Sequence, residues 1–155
     1  MTVRRVATDR GLAEVHGLGY GIEGGIEGET GAVFERLLQV AALCNDSSVR
    51  DGEVAGDPTE GALWVLAAKG GVDVEAFRRS NPRVAEVPFE AERKFSATLH
   101  RDNTMFVKGA PDVLLQRCTA QLSEAGTRPL SELERDRLGR VSEEMAASGL
   151  RVLAT

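Results

Sequence analysis

Three cations, one acid and one aromatic ring are the side chains here whose types could grip a small anionic ligand: Lys94, Lys108, Arg151, Glu60 and Phe89. Arginine offers a planar fork of donors and lysine a mobile point charge, two different ways of holding an anion. Taken singly, each also has an ordinary account. Lys94 and Lys108 fall at strand ends, where most lysines are simply solvated; Phe89 fits a core, Glu60 a helix cap and Arg151 a surface charge. A lysine nucleophile would need a paired general base, and none lies near Lys94 or Lys108 in sequence. The glycine-rich run from Gly17 to Gly31 is a tempting phosphate cradle. It lacks a Gly-Lys-Ser/Thr ending and carries Glu23, Glu27 and Glu29, which would repel phosphate, so it reads as an irregular surface loop. Cys44 and Cys118 have no metal-ligand spacing and fall on apolar sides of predicted helices, as buried inert thiols do. His16 and His100 read as surface or sheet-face residues.

The elements that must position these residues follow from periodicity. Residues 1–8 read as a strand, with 12–19 continuing the sheet after a turn at Asp9-Arg10-Gly11. The spacing of Phe34, Leu37, Leu38 and Ala41 predicts a helix over 32–45, ended by Asn45-Asp46-Ser47-Ser48. A short strand or loop runs through Asp51-Gly52. A second helix opens with Asp57 as N-cap, Pro58 at the first position and Glu60 at the third, where its carboxylate can reach back to a free amide; Gly70-Gly71 stops it. A further helical turn around 74–79 breaks at Asn81-Pro82. Residues 84–89 and 94–100 form strands, the second with Phe95, Ala97 and Leu99 on one face and Lys94, Ser96, Thr98 and His100 on the other. Asp102-Asn103 turns the chain into a partner strand over 104–108. A helix then runs to about Cys118. Ser131-Glu132-Leu133-Glu134 starts a longer one that Gly149 ends, and 150–155 is a last strand. Stopping inside a strand points to a piece of a longer protein.

The 155 residues suffice for one domain with its own core, and 42% hydrophobic with 28% charged residues is ordinary for a globular chain. A net charge of −5 supplies no domain-wide positive field, which argues against a nucleic-acid partner while leaving room for a local basic pocket. No run approaches the roughly 18 apolar residues of a membrane span.

Order then links the scattered motifs. Ala42-Leu43-Cys44-Asn45-Asp46 is followed by Gly56-Asp57-Pro58-Thr59-Glu60-Gly61-Ala62-Leu63, by Pro88-Phe89 with Arg93-Lys94, by Phe106-Val107-Lys108-Gly109-Ala110-Pro111-Asp112, and by Gly149-Leu150-Arg151-Val152-Leu153-Ala154. This series resembles the nucleotide-binding domain of P-type cation-transporting ATPases, in the calcium-pump-like branch, over nearly the whole chain. The resemblance implies an α/β domain of the α+β type, a mixed and largely antiparallel sheet flanked by helices, as a single nucleotide-binding domain over 1–155.

It implies roles as well. Phe89 stacks on adenine, and Glu60 accepts a hydrogen bond from the adenine amino group, with Asp57 and Thr59 shaping that wall. Lys108 lines the pocket floor, Gly109 allows close approach to the backbone, Lys94 and Arg151 contact phosphate, and Leu153 packs near ribose and base. Ala91 departs from the pattern, since calcium pumps often carry a basic residue there, and on a strand Arg93 and Lys94 point to opposite faces. The Asp-Lys-Thr-Gly-Thr phosphorylation motif, the magnesium-site aspartates and the Thr-Gly-Glu motif do not occur. The expected protein therefore binds ATP, accompanied by Mg2+ in the intact pump, without hydrolysing it. Its partners are the phosphorylation and actuator domains of the same parent chain, its chain ends act as hinges, and its place is the cytoplasmic side of a plasma-membrane protein. The rival reading, a regulatory or interaction domain that has kept the fold and lost nucleotide, draws on Ala91 and the acidic charge. Calcium is the family-level ion.

Overall fold

The computed structural model describes residues 1–28 and 30–155; the expectation attached to Glu29 lies outside the described residues. Strands β1 (Arg5–Thr8) and β2 (Gly11–Val15) pair antiparallel, Val6 opposite Ala13, and β3 (Ile26–Gly28) adds to the free side of β2. The glycine-rich run therefore holds a strand within its loop. Gly28 makes that pairing possible: its φ is 117°, and a Cβ there would lie 2.5 Å from the Leu12 carbonyl oxygen.

Helix α1 (Ala32–Leu43) is the post on which the molecule is built. Phe34 and Leu38 join Val6, Ala13 and Val15 in one cluster, so this side of α1 packs on the first sheet. At 100° per residue, Val40, Leu43 and the following Cys44 lie on roughly the opposite side, and there they enclose Phe106 of the second sheet. Ala41 and Ala42 meet Leu63, Ala67 and Val74 of the next two helices in a third cluster. The second half of α1 is thus buried nearly all round, which is why Val40 and Ala42 join the core alongside the residues of the predicted stripe.

After α1, β4 (Ser48–Arg50) and β5 (Glu53–Ala55) form a hairpin around Asp51-Gly52, both with positive φ, 50° and 77°. Helix α2 (Pro58–Lys69) starts as predicted: Asp57 accepts hydrogen bonds from the Thr59 and Glu60 amides at 2.8 and 3.1 Å. Helix α3 (Val74–Ser80) is capped likewise by Asp73.

Strands β6 (Arg83–Glu90), β7 (Phe95–His100) and β8 (Met105–Gly109) form the second three-stranded sheet, with β7 central and β6 on an edge. Helix α4 (Pro111–Arg117) follows, then a hairpin of β9 (Ala120–Ser123) and β10 (Gly126–Pro129) that periodicity did not suggest, then α5 (Glu132–Ala147). Ser131 caps α5 by accepting from the Glu134 amide at 3.2 Å, yet no residue of this sixteen-residue helix is buried.

The architecture is mixed α and β, and every strand pairing among the described residues is antiparallel, distributed over several sheets. Two local expectations need correction. The strand over 150–155 reduces to one antiparallel bridge, Gly109 to Ala154, because the chain meets β8 only at its tip. Cys118 is exposed rather than buried, since α4 ends just before it and leaves it at the cap. No helix among the described residues is long and apolar enough to cross a membrane.

Candidate functional site

At the N-terminus of α2, Glu60 does not turn back to its own helix, as a capping box would have it. The Asp57 side chain takes the Thr59 and Glu60 amides, while the Glu60 carboxylate crosses to the chain leaving α1. One oxygen accepts from the Asp46 amide at 2.8 Å and lies 3.5 Å from the Ser47 hydroxyl; the other meets the Lys108 ammonium. Lys108, arriving from β8, also donates to the Cys44 carbonyl at 2.5 Å. With side chains 19% and 12% exposed, Glu60 and Lys108 form a largely buried ion pair that backbone groups complete on both sides. Around a pair so enclosed, these hydrogen bonds replace the water that burial removes.

The end of α1 has no basic residue of its own in its last turn. Its carbonyls, and those of the turn after it, are instead served from elsewhere. Arg78 of α3 donates to Ala42, Asn45 and Ser47, each at 2.9 Å. Arg83 of β6 donates to Leu43 and Asn45 at 3.3 Å and forms short ion pairs with Asp46 and Glu86. Burial pushes the Arg78 guanidinium below its ordinary value, against the pull of Glu75 and Asp46. Burial works the same way on Arg83, but its bonds to Asp46 and Glu86 prevail and hold it above. Asn45, 3% exposed, locks the turn from inside: its amide donates to the Ala41 and Glu60 carbonyls, and its oxygen accepts from the Ser47 amide.

The opposite wall is the second sheet. Ser96, Thr98 and His100 share the face of β7 predicted to be polar, with Lys108 opposite Ser96, and that face is turned inward toward α1. His100 is accordingly buried rather than at the surface, its ring nitrogens 2.8 Å from the Asn81 carbonyl oxygen and 3.0 Å from the Thr98 hydroxyl. His16 is exposed, 3.4 Å from Glu27.

Phe89 owes its position to a bulge. Val87 faces Ala97 and Glu90 faces Phe95, so three steps along β6 match two along β7. The extra residue re-aims the strand, Pro88 is tolerated because an edge strand need not donate there, and the Phe89 ring stands 63% exposed over the cleft. The residues after it turn rather than continue: the Arg93 and Lys94 amides both bond back to the Glu90 carbonyl, and Lys94 has φ 56°. The strand-face argument for Arg93 and Lys94 therefore does not apply. Arg93 pairs with Glu90 at 2.9 Å, while Lys94 reaches into the cleft with Asp112 at 3.7 Å.

The floor closes where Gly109 and Ala154 exchange hydrogen bonds of 3.0 and 2.9 Å. The close neighbour of Gly109 is the chain itself: a Cβ there would lie 2.5 Å from the Lys94 carbonyl oxygen and from the Phe95 Cβ. The bridge brings in Arg151 and Leu153, the latter half-buried against the α1–α2–α3 cluster. Burial tends to raise the Asp57 carboxyl. The Glu60 and Thr59 amides, the Thr59 hydroxyl and the Arg151 charge outweigh it and hold Asp57 below the usual carboxylate range.

Asp57, Thr59, Glu60, Phe89, Lys94, Lys108, Gly109, Arg151 and Leu153 thus line a single cleft of about 480 Å³. They come from the start of α2, the end of β6, the turn after it, β8 and the returning C-terminal segment. Phe89 is not in the interior, and Glu60 and Lys108 touch. Asn45, Arg83, Glu86 and Thr98 also line the cleft without having been assigned roles. The Asn-Asp-Ser-Ser run did signal a turn, but nothing local signalled that two arginines some thirty residues on would fasten it. The cleft has a flat apolar face, an acceptor anchored at the base and exposed cations at the rim, a combination suited to an aromatic heterocycle carrying an anionic tail.

The chain matches the family model described as P-type ATPase, cytoplasmic domain N, over residues 33–155. It is 36% identical over 170 residues to the protein named "Probable cation-transporting ATPase F" of Mycobacterium tuberculosis, covering 100% of this chain and 19% of that one. It is 41% identical over 128 residues to a cation-transporting ATPase of Synechocystis, covering 79% and 14%. With the human calcium-transporting ATPase type 2C member 1 it shares 35% over 169 residues, covering 99% and 18%. The chain therefore spans less than a fifth of the length of these curated relatives.

Proposed function

Since the chain belongs to the family of P-type ATPase cytoplasmic N domains, we propose that its cleft binds ATP and presents the γ-phosphate to an aspartate on a separate phosphorylation domain of a cation pump. The observation that carries this reading is the convergence of Phe89, Glu60 and Lys108, three residues from three elements, on one cleft. Phe89 stacks on the adenine ring, a contact type worth about 1–3 kcal/mol per base. Glu60, whose Lys108-paired oxygen keeps a lone pair while the other takes the Asp46 amide and the Ser47 hydroxyl, accepts from the adenine amino group, beside Asp57 and Thr59. Lys108 holds Glu60 in place and lines the floor with Gly109. Leu153 packs near the ribose, and Lys94 and Arg151 hold the phosphates. With Ala91 in place of a basic residue, those two cations carry the phosphate end.

The unit is a single nucleotide-binding domain, 1–155, that binds without turnover, because the sequence holds no Asp-Lys-Thr-Gly-Thr acceptor and phosphoryl transfer depends on positioning around the transferring group. Magnesium belongs with ATP in the intact pump. Among the described residues no group of three or more His, Cys, Asp or Glu side chains gathers to hold a metal ion. The phosphorylation and actuator domains of the parent chain are the partners, calcium or a related cation is the cargo, and the plasma membrane is the setting.

The test is an NMR titration of the labelled chain with ATP, AMP and GTP. Shifts should centre on Glu60, Phe89, Lys108 and Arg151, with a Kd for ATP on the order of 0.1 to a few mM. Lys94 and Arg151 should respond more to ATP than to AMP. Phe89→Ala should weaken ATP by about 1–3 kcal/mol and leave the thermal midpoint nearly unchanged, because the ring is exposed in the free chain. Absence of shifts at several mM ATP would replace this reading with the regulatory one.

A further inference from the structure

Arg78 is a half-buried cation that the cleft's own chemistry leaves unused: it is not among the lining residues, and no motif pointed to it. Its environment is unusual for a surface helix arginine. Three guanidinium nitrogens each donate to a different backbone carbonyl, those of Ala42, Asn45 and Ser47, at 2.9 Å. Its nearest carboxylate, Glu75, is 3.6 Å away. The fork therefore reads backbone shape and ties together three carbonyls across the six residues Ala42–Ser47 at the end of α1, a task suited to a planar, multi-donor group.

Those residues lead directly to the cleft. The Cys44 carbonyl between the clamped groups receives Lys108, and the Asp46 amide inside the clamp donates to Glu60. The Asn45 side chain spans the same gap by donating to the Glu60 carbonyl. We propose that Arg78 is a positioning residue for base recognition: by clamping the Ala42, Asn45 and Ser47 carbonyls it sets the Asp46 amide and the Cys44 carbonyl at the heights that orient Glu60 and Lys108. This rests on the nucleotide reading and adds to it a residue that never touches the ligand. Lysine cannot substitute, since one ammonium cannot reach three carbonyls in a plane.

The experiment compares the wild-type chain with Arg78→Lys, Arg78→Met and Val6→Ala, the last a core variant from the cluster around the first sheet. Amide hydrogen exchange is measured in the free chain, and ATP and GTP affinities by titration. Arg78→Lys should speed exchange at the Asp46 amide and weaken ATP about threefold. Arg78→Met should weaken ATP about tenfold, equivalent to about 1.4 kcal/mol. In both, the preference for ATP over GTP should shrink, because a misaligned Glu60 no longer discriminates. Val6→Ala should lower stability while keeping wild-type affinity and preference, which a purely structural role for Arg78 would also predict for the Arg78 variants. Unchanged ATP preference in Arg78→Lys, or unchanged Asp46 exchange, overturns the inference; should Arg78→Met fail to fold, Arg78→Lys alone decides. A wild-type chain that ignores ATP overturns the nucleotide reading and this inference with it, whereas wild-type binding with an unaltered variant overturns this inference alone.

Discussion

The two ends of α1 are finished in opposite ways. At the N-terminus Gly31 has no side chain to offer, and the Ala32 and Val33 amides donate at 3.3 and 3.2 Å to the carboxylate of Glu124, the exposed tip of the β9–β10 hairpin. At the C-terminus three cations, Arg78, Arg83 and Lys108, converge on the carbonyls from three other elements. Both arrangements suit the helix dipole, negative charge at the amide end and positive at the carbonyl end. They differ in burial and in number. One exposed carboxylate on two amides is a modest clasp that solvent can replace. A largely enclosed set of cations making six hydrogen bonds to five carbonyls has no substitute, and that is the end where the cleft lies. The comparison teaches that the enclosed, multiply bonded electrostatics are concentrated at the end that lines the cleft, while the far end of the same helix is fastened only lightly.

The sharpest way to break this contrast is Lys108→Met. It leaves the Glu60 carboxylate enclosed without its counter-charge, and removing one partner of a buried pair costs about 3–5 kcal/mol. Because each side chain keeps some solvent contact, the lower part of that range is expected, read as a fall in the urea midpoint with an unchanged slope. Glu60→Gln with Lys108→Met together should recover part of the loss, which tests coupling.

At the other end, Glu124→Ala should lower stability by only about 0.5 kcal/mol, less still in high salt, and leave ATP affinity alone. A loss as large as that of Lys108→Met would erase the distinction between the two ends. Gly31→Ala should mimic it, since a Cβ there would lie 2.5 Å from a Glu124 carboxylate oxygen.

The smallest effect concerns pH at the start of α2. Asp57 has its folded pKa held below its ordinary 3.8, so its contribution is complete above that value and is lost as pH falls through the folded pKa. Asp57→Asn keeps a capping oxygen but removes the proton uptake. Stability against pH below 3.8 should be shallower in the variant, and the two curves should run parallel above it.

How much of this was legible depended on distance along the chain. The start of α2 was readable because cap, proline and first turn are adjacent, and α1 because its stripe repeats within twelve residues. The fastening of α1 was not, because Glu124 and Lys108 lie more than sixty residues beyond the groups they hold. The motif places Glu60 in the cleft, but its local spacing points the carboxylate back to its own helix; its actual partners, the Asp46 amide and Lys108, lie 14 and 48 residues away. The β4–β5 hairpin was only half seen, although Asp51-Gly52 supplies both positive-φ positions that such a turn requires. Glycine density drew attention away from β3, since pairing with β2 needs only backbone. The hairpin β9–β10 has little alternation and almost no buried surface, so no periodic signal announced it.

The extra residue that turns Phe89 outward has a second effect. Strand β6 is the edge of its sheet and breaks register twice, between Arg83 and Ala85 and again between Val87 and Glu90, with Pro88 inside the second break and acids at Glu86 and Glu90. An open edge invites another molecule's strand, and irregular spacing, a missing donor and like charges each deny that invitation. The geometry that exposes the Phe89 ring over the cleft therefore also guards this molecule against stacking onto copies of itself.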